Sequence, residues 1–217
     1  MIIDIRGNTG GLPAQWLDAI VAPHISETFA MTLYAFSNDT PFVISHLRAA
    51  HSILSNPRPD CFFGIRIESP IKSFDEMPEL PYLNREDAAN LAYGFAFSRV
   101  VNPRATDFPP FEGQIWLLID ERVGSAAAWF TDIAERSGFA ILVGDAIEGN
   151  STLTITPIGT LERLRLPNTQ VTVWFNLTYN TYDCGRAIEE YVAQPHIFNR
   201  DDMDALETVL ALISEDS

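Results

Sequence analysis

The sequence predicts an α/β fold. Three observations carry that expectation. Short apolar runs, "MIIDI", "IWLLID" and "FAILVGD", each pass into a polar or glycine-rich loop. Stretches with helical apolar spacing lie between such runs. No segment is repeated elsewhere in the chain. Strands alternating with helices bury their apolar faces on one another and make an α/β domain.

The elements follow in order. Met1–Arg6 reads as a short strand and "GNTGG" as a loop. Leu12–Val21 reads as a helix with Leu12, Trp16, Leu17 and Ile20 on one face. Thr28–Phe36 is β-like, and Asp39 is the expected cap of a helix over Pro41–Leu54. Pro57, Pro59, Pro70, Pro78 and Pro81 exclude long helices and central strands nearby. Residues 56–112 are therefore expected to form an irregular insertion, with a short strand at Phe62–Ile67. Within it Arg85–Val100 reads as a helix. Ile115–Ile119 and Phe139–Val143 read as buried strands around a helix over Ser125–Ser137, which Gly138 ends. Thr152–Thr156, Leu161–Leu166 and Val171–Leu177 are β-like. Asp201 or Asp202 is the expected cap of a last helix through Ile213.

Composition narrows the function. The 217 residues suit a single domain, 1–217, and the 47% apolar content is enough for a buried core. A first strand that already reads as core leads to the expectation of a further, upstream part of the protein. The net charge of -15 argues against nucleic acid and anionic membrane surfaces as partners. No apolar run reaches the roughly 18 residues of a membrane-spanning helix. Cys61 and Cys184 lie far apart, and His24, His46, His51 and His196 lack metal-ligand spacing. No metal or cofactor is expected.

Three stretches form a constellation. "IIDIRGNTGG" places Asp4, Arg6 and the Gly10-Gly11 pair after a strand. "LLIDERVGSAAAWF" places Ser125 at a helix start after a second strand, and "ILVGDAIEGN" places a Gly-Asp corner after a third. Taken alone, Ser125 reads as an ordinary helix N-cap, the glycine pair as a turn, and Asp4 with Arg6 as a structural ion pair or loop organisers. A serine at a helix N-terminus also sits beside unpaired N–H groups, such as that of Ala126, and the positive end of the helix dipole. Those are the donors that a tetrahedral acyl intermediate needs.

The order and wording of the three stretches resemble the catalytic domain of the C-terminal processing, or tail-specific, serine peptidases. That family includes the tricorn core protease. Its pattern runs approximately D-L-R-G-N-x-G-G, then S-A-x-E/A, then G-E-x-T-x-G, and "YDCGRAIEEYVAQPHI" is similar to its closing segment. The resemblance covers residues 1–11 and about 115–197. It implies a ββα-spiral core of the ClpP/crotonase type and a polypeptide substrate. It further implies Ser125 as nucleophile and an oxyanion donor from Gly10 or Gly11 besides Ala126. The compartment stays open, with an exported setting supported by the resemblance alone.

One part of the family pattern is missing. Many members draw a lysine base from the third motif, where this chain has Gly149-Asn150-Ser151; lysine occurs only at Lys72. The tricorn-like arrangement uses a histidine from before the first motif and a late glutamate. Glu189 occupies that glutamate's place, with Glu190 the alternative register. The resemblance therefore points to a tricorn-like branch whose histidine lies outside this chain. The other reading is a catalytically inactive member or fragment that binds a peptide or apolar ligand in the same cleft.

Overall fold

Parallel pairing of apolar runs builds the first sheet. The computed structural model describes residues 1–11, 16–55, 65–105, 111–147, 162–175, 177–190 and 193–215. Strands β1 (Ile2–Asp4), β6 (Trp116–Ile119), β7 (Ile141–Gly144) and β11 (Ile197–Phe198) form a sheet in the order β1-β6-β7-β11. Every pair in it is parallel, with Ile3 opposite Leu117 and Leu118 opposite Val143. Leu117, Leu118, Ile119, Leu142 and Val143 are fully buried. Continuous apolar runs are what a parallel sheet covered on both faces requires. Burying each such side chain contributes about 1.5–3 kcal/mol.

Two helices serve that sheet. Helix α3 (Ala126–Ser137, numbering helices in chain order) connects β6 to β7. Its Ala126, Ala127 and Ala128 are buried beside Trp129, Phe130 and Ile133. Gly138 ends it in the left-handed conformation at φ 67°, and its N–H donates to the Ala134 carbonyl. Helix α4 (Ala205–Glu215) lays Ala205 and Val209 against Leu118 and Val143. Its cap is Asp204, not Asp201 or Asp202. The Glu207 N–H donates to Asp204 Oδ1 at 2.9 Å, and the Asp204 N–H donates to Glu207 Oε2 at 3.0 Å. This reciprocal capping box competes successfully with the earlier aspartates.

The chain folds as two compact units, Met1–Phe29 with Val101–Leu153 and Glu189–Ser217, and Ala30–Val100 with Thr154–Ile188. The second unit holds a mainly antiparallel sheet ordered β10-β2-β5-β3, with β4 also on β5. Its strands are β2 (Phe29–Ser37), β3 (Ile65–Ile67), β4 (Lys72–Ser73), β5 (Tyr93–Val101) and β10 (Tyr179–Tyr182). Helix α1 (Pro41–Ser55) packs on β3. The Ile44 N–H donates to the Thr40 carbonyl, so the cap position is Thr40 rather than Asp39. Strands β8 (Glu162–Arg165) and β9 (Thr172–Phe175) form a separate hairpin.

The helix expected over Arg85–Val100 is corrected. Only the single turn α2 (Arg85–Ala88) is helical, and β5 takes the part from Tyr93 onward. Phe95 and Phe97 alternate along β5 and are buried. Aromatic residues at period 2 beside Val100 and Val101 favour a pleated strand over the helix that the alanines imply. The first expected helix is likewise different. Its described part is a π-helical turn, Leu17–Val21, in which the Ala22 N–H reaches back to the Leu17 carbonyl at 2.9 Å. Leu12 and the strand expected at Thr152–Thr156 lie outside the described residues.

Candidate active site

The parallel register brings two loops to one sheet edge. Asp4 at the end of β1 pairs with Leu118 near the end of β6, so the loops after them leave side by side. The first loop turns tightly: the Asn8 N–H donates to the Ile5 carbonyl at 3.0 Å and the Gly10 N–H to Asn8 Oδ1 at 2.9 Å. Asn8 then accepts the Gly124 N–H on its own carbonyl at 3.0 Å, tying the first loop to the second. Asp120 makes the other tie. Its Oδ1 accepts the Gly7 N–H at 2.8 Å, and its Oδ2 accepts Arg122 Nη2 at 2.8 Å. Burial pushes the Asp120 carboxyl up, but the Gly7 N–H and the Arg122 guanidinium outweigh it and hold the group below the usual carboxylate range.

Asp4 and Arg6 form the expected ion pair, Nη2 to Oδ2 at 2.7 Å. Arg6 also reaches Asp204 at 3.0 Å and so joins the loop to the start of α4. The hydrogen bonds from Arg6 hold Asp4 below the usual carboxylate range. Both residues organise the loop.

Ser125 is not an ordinary N-cap. Its side chain makes no capping hydrogen bond, and its backbone sits at φ 52°, ψ -124°. That is close to the first central position of a type II′ turn, about +60° and -120°, where glycine is the usual residue. A serine held there carries strain of roughly 1–3 kcal/mol, and such strain gathers at functional sites. Ser125 is exposed while Val123, Gly124, Ala126 and Ala127 around it are buried. The turn lifts its side chain out of the core at the point where α3 begins.

The glycine loop lies against this serine. A Cβ built on Gly10 would stand 2.5 Å from Ser125 Cβ and 3.0 Å from both the Ala126 nitrogen and the Gly124 oxygen. Gly10 adopts φ 112° and Gly11 φ 154°, both unfavourable for other residues. A cavity of about 380 Å³ opens beside them, lined by Gly10, Gly11, Ala126, Trp16, Ile20 and Phe130 among others. Gly10 is thus packed on Ser125 and Ala126, and Gly10, Gly11 and Ala126 line the cavity beside them. The Gly10 N–H is engaged by Asn8 Oδ1.

The remaining candidates are placed as follows. Glu189 falls in a short 3₁₀ turn, Ile188–Glu190, with its side chain outside the described residues; Glu190 is exposed. Gly149, Asn150 and Ser151 lie outside the described residues. Lys72 is on β4 in the second unit. His196 Nδ1 accepts the Leu142 N–H at 2.9 Å, a bond that braces β7. His24 Nδ1 faces the Ile20 carbonyl at 2.6 Å, and His51 Nε2 faces the Ser69 carbonyl at 3.1 Å. Among the described residues no cluster of histidine, cysteine and carboxylate groups is arranged to hold a metal, and no helix is long and apolar enough to cross a membrane. Sequence reasoning missed Asn8, Asp120 and the cavity wall of Trp16 and Phe130. Asn8 was visible inside "GNTGG"; the wall brings together residues far apart in the chain.

Comparison with known proteins gives one family. The profile of peptidase family S41 matches residues 1–197. None of the curated proteins matches the chain. Among solved structures, the fold is similar to mature CPAF complexed with lactacystin, at 16% identity over 99% of this chain and 42% of that one, with a TM-score of 0.54. It is also similar to a proposed peptidase from Parabacteroides merdae ATCC 43184, at 16% identity over 98% of this chain and 51% of that one, with a TM-score of 0.51. A second structure of mature CPAF matches at 18% identity over 91% of this chain and 38% of that one, with a TM-score of 0.51. The chain therefore spans about half or less of the length of these solved chains. At such identities the likeness shows the fold.

Proposed function

We propose a serine peptidase function for this chain because it belongs to peptidase family S41. Ser125 Oγ attacks the carbonyl carbon of a scissile peptide bond. The carbonyl oxygen becomes an oxyanion and accepts the N–H groups of Ala126 and Gly11. The Ser125 proton passes to a general base and then to the leaving amine, and water later releases the acyl group from Ser125. The observation that carries this reading is the packing of Gly10 on a strained, exposed Ser125 at the start of α3. Strain and close approach have no use in a plain helix cap.

The base is the open position. The family's usual lysine is replaced by Asn150, and lysine occurs only at Lys72. We infer a tricorn-like arrangement in which Glu189, or Glu190 in the alternative register, orients a histidine contributed from outside residues 1–217. We also infer that the first unit is built on the ββα-spiral core of the ClpP/crotonase type; the β1-β6-β7-β11 sheet with α3 between β6 and β7 supports this. The substrates are polypeptide C-termini or unfolded segments.

The test is digestion of unfolded casein by the 217-residue chain, by its Ser125→Ala variant, and by a form extended with the natural upstream residues. Cleavage by the extended form alone, lost in Ser125→Ala, is the expected result, since a positioned base contributes 10²–10⁴-fold, about the gap between the two forms. Robust Ser125-dependent cleavage by the short chain would overturn the external base and turn attention to His24, His46, His51 or Lys72. No cleavage by any form would favour the peptide-binding reading.

A further inference from the structure

We propose that the cavity beside Gly11 seats the substrate residue on the acyl side of the cleaved bond, and that Trp16 makes this seat selective for apolar side chains. The proposal rests on the Ser125 reading above and names what that site accepts. Bond geometry gives the position. The carbon attacked by Ser125 carries the oxyanion and is bonded directly to its own residue's Cα, about 1.5 Å away. That residue's side chain therefore starts within a few bonds of the Gly11 and Ala126 donors. Gly11 and Ala126 also line the cavity, together with Trp16, Ile20 and Phe130.

The wall gives the chemistry. Trp16 stacks on Phe130 with ring centroids 4.6 Å apart and meets Trp129 edge-on at 5.4 Å. Phe130 in turn stacks on Phe139 at 5.7 Å. Trp129 and Phe130 belong to the buried face of α3, so Trp16 is held by a rigid aromatic base. Ile3 and Ile5 complete an apolar lining. Asp4 is the single charged group among the described lining residues, and its carboxylate already accepts three bonds from Arg6, at 3.0, 3.0 and 2.7 Å. It offers no free anion to a lysine or arginine. Asn8 is the other polar side chain of the described lining, its Oδ1 taken up by the Gly10 N–H, and no cationic group among the described lining residues would neutralise an acidic side chain. Burying an unpaired charge there is costly, whereas leucine, methionine or phenylalanine buries against rings. A volume of about 380 Å³ is at the small end for ligand pockets, which suits one large side chain.

The experiment separates this proposal from catalysis by using product-like peptides. Acetylated tetrapeptides with three alanines and a last residue of Leu, Phe, Ala, Asp or Lys, each with a free carboxylate, are titrated into the chain by calorimetry. The carboxylate takes the oxyanion's place, so no general base is needed. Leu and Phe peptides are expected to bind at least about tenfold more tightly than the Ala peptide, and Asp and Lys peptides more weakly still; tenfold corresponds to one well-buried apolar group. Trp16→Ala should weaken the Leu peptide about tenfold and leave the Ala peptide within twofold, and Trp16→Phe, which keeps a stacking ring, should stay within about threefold of wild type for both. Equal affinity across the five peptides overturns the proposal. So does a Trp16→Ala effect of the same size on every peptide, which would mark a structural role; if that variant does not fold, the five-peptide series and Trp16→Phe decide. Apolar-selective binding with no casein cleavage would leave this seat standing while the peptidase reading fails. Ser125-dependent cleavage without apolar preference would do the reverse.

Discussion

Replacing Gly10 by alanine probes the packing on which the site depends. The new Cβ would stand 2.5 Å from Ser125 Cβ, more than about 1 Å inside the optimal carbon–carbon separation of roughly 3.5–4.0 Å. Its other neighbours, the Ala126 nitrogen and the Gly124 oxygen at 3.0 Å, are backbone and cannot swing aside. Overpacking of this kind costs about 1–3 kcal/mol. The φ of 112° adds about 1–3 kcal/mol of backbone strain. Gly11→Ala is the control. At φ 154° it meets the backbone cost, but its Cβ has nothing within 4 Å among the described residues. The two variants should therefore differ by the overpacking alone, about 1–3 kcal/mol. Urea unfolding followed by tryptophan fluorescence measures this, since Trp16, Trp116 and Trp129 all lie in the first unit. Gly10→Ala should also move the Gly11 donor, and a displacement of about 1 Å can cost 10²-fold in turnover. Equal losses for the two variants, or a Gly10→Ala protein within about 0.5 kcal/mol of wild type, would refute the close approach of the loops.

Three further outcomes follow from the same geometry. Ser125→Gly should raise stability by about 1 kcal/mol by releasing the strained backbone while removing the nucleophile, whereas Ser125→Ala keeps the strain and gains nothing; equal gains in urea midpoint would contradict the strain. Asp120 has a folded-state pKa below its unfolded value, so its contribution is complete above about pH 4 and lost as pH falls through the folded value. Asp120→Asn should therefore cost about 1 kcal/mol at pH 7 and show a shallower loss of stability as pH falls below about 4; an unchanged acid slope there would remove Asp120 from that role. Asp204→Ala should lower the thermal midpoint by removing both the α4 cap and the Arg6 partner, with Asp204→Asn recovering the capping part; equal midpoints for the two variants would show that the cap contributes nothing.

The parts of the fold legible in the sequence were those set by local pattern. The runs around Leu117 and Leu142 are apolar on both faces, which only a covered strand tolerates, and Gly138 closes α3 where a left-handed residue is needed. The Ser125 and Gly10-Gly11 pieces were legible from the order of three motifs. What escaped depended on competition or distance. Alanines around Phe95 and Phe97 imitated a helix until a neighbouring sheet made the strand favourable. Asp201, Asp202 and Asp204 are all competent caps, and the reciprocal bond with Glu207 selects the third. The strain at Ser125 is a property of the assembled corner, in which Asn8 and Gly124 are already bonded. The Trp16–Phe130 wall joins residues more than a hundred positions apart.

The central claim is that Ser125 is the acyl-accepting nucleophile, and covalent trapping tests it most directly. The chain, carrying the upstream histidine segment inferred above, is treated with a fluorophosphonate, digested, and the adduct located by tandem mass spectrometry. The expected result is one phosphonylated residue, Ser125, with no adduct in Ser125→Ala or in protein unfolded in urea. An adduct at another serine, no adduct in the folded protein, or equal labelling of Ser125 in urea would contradict it.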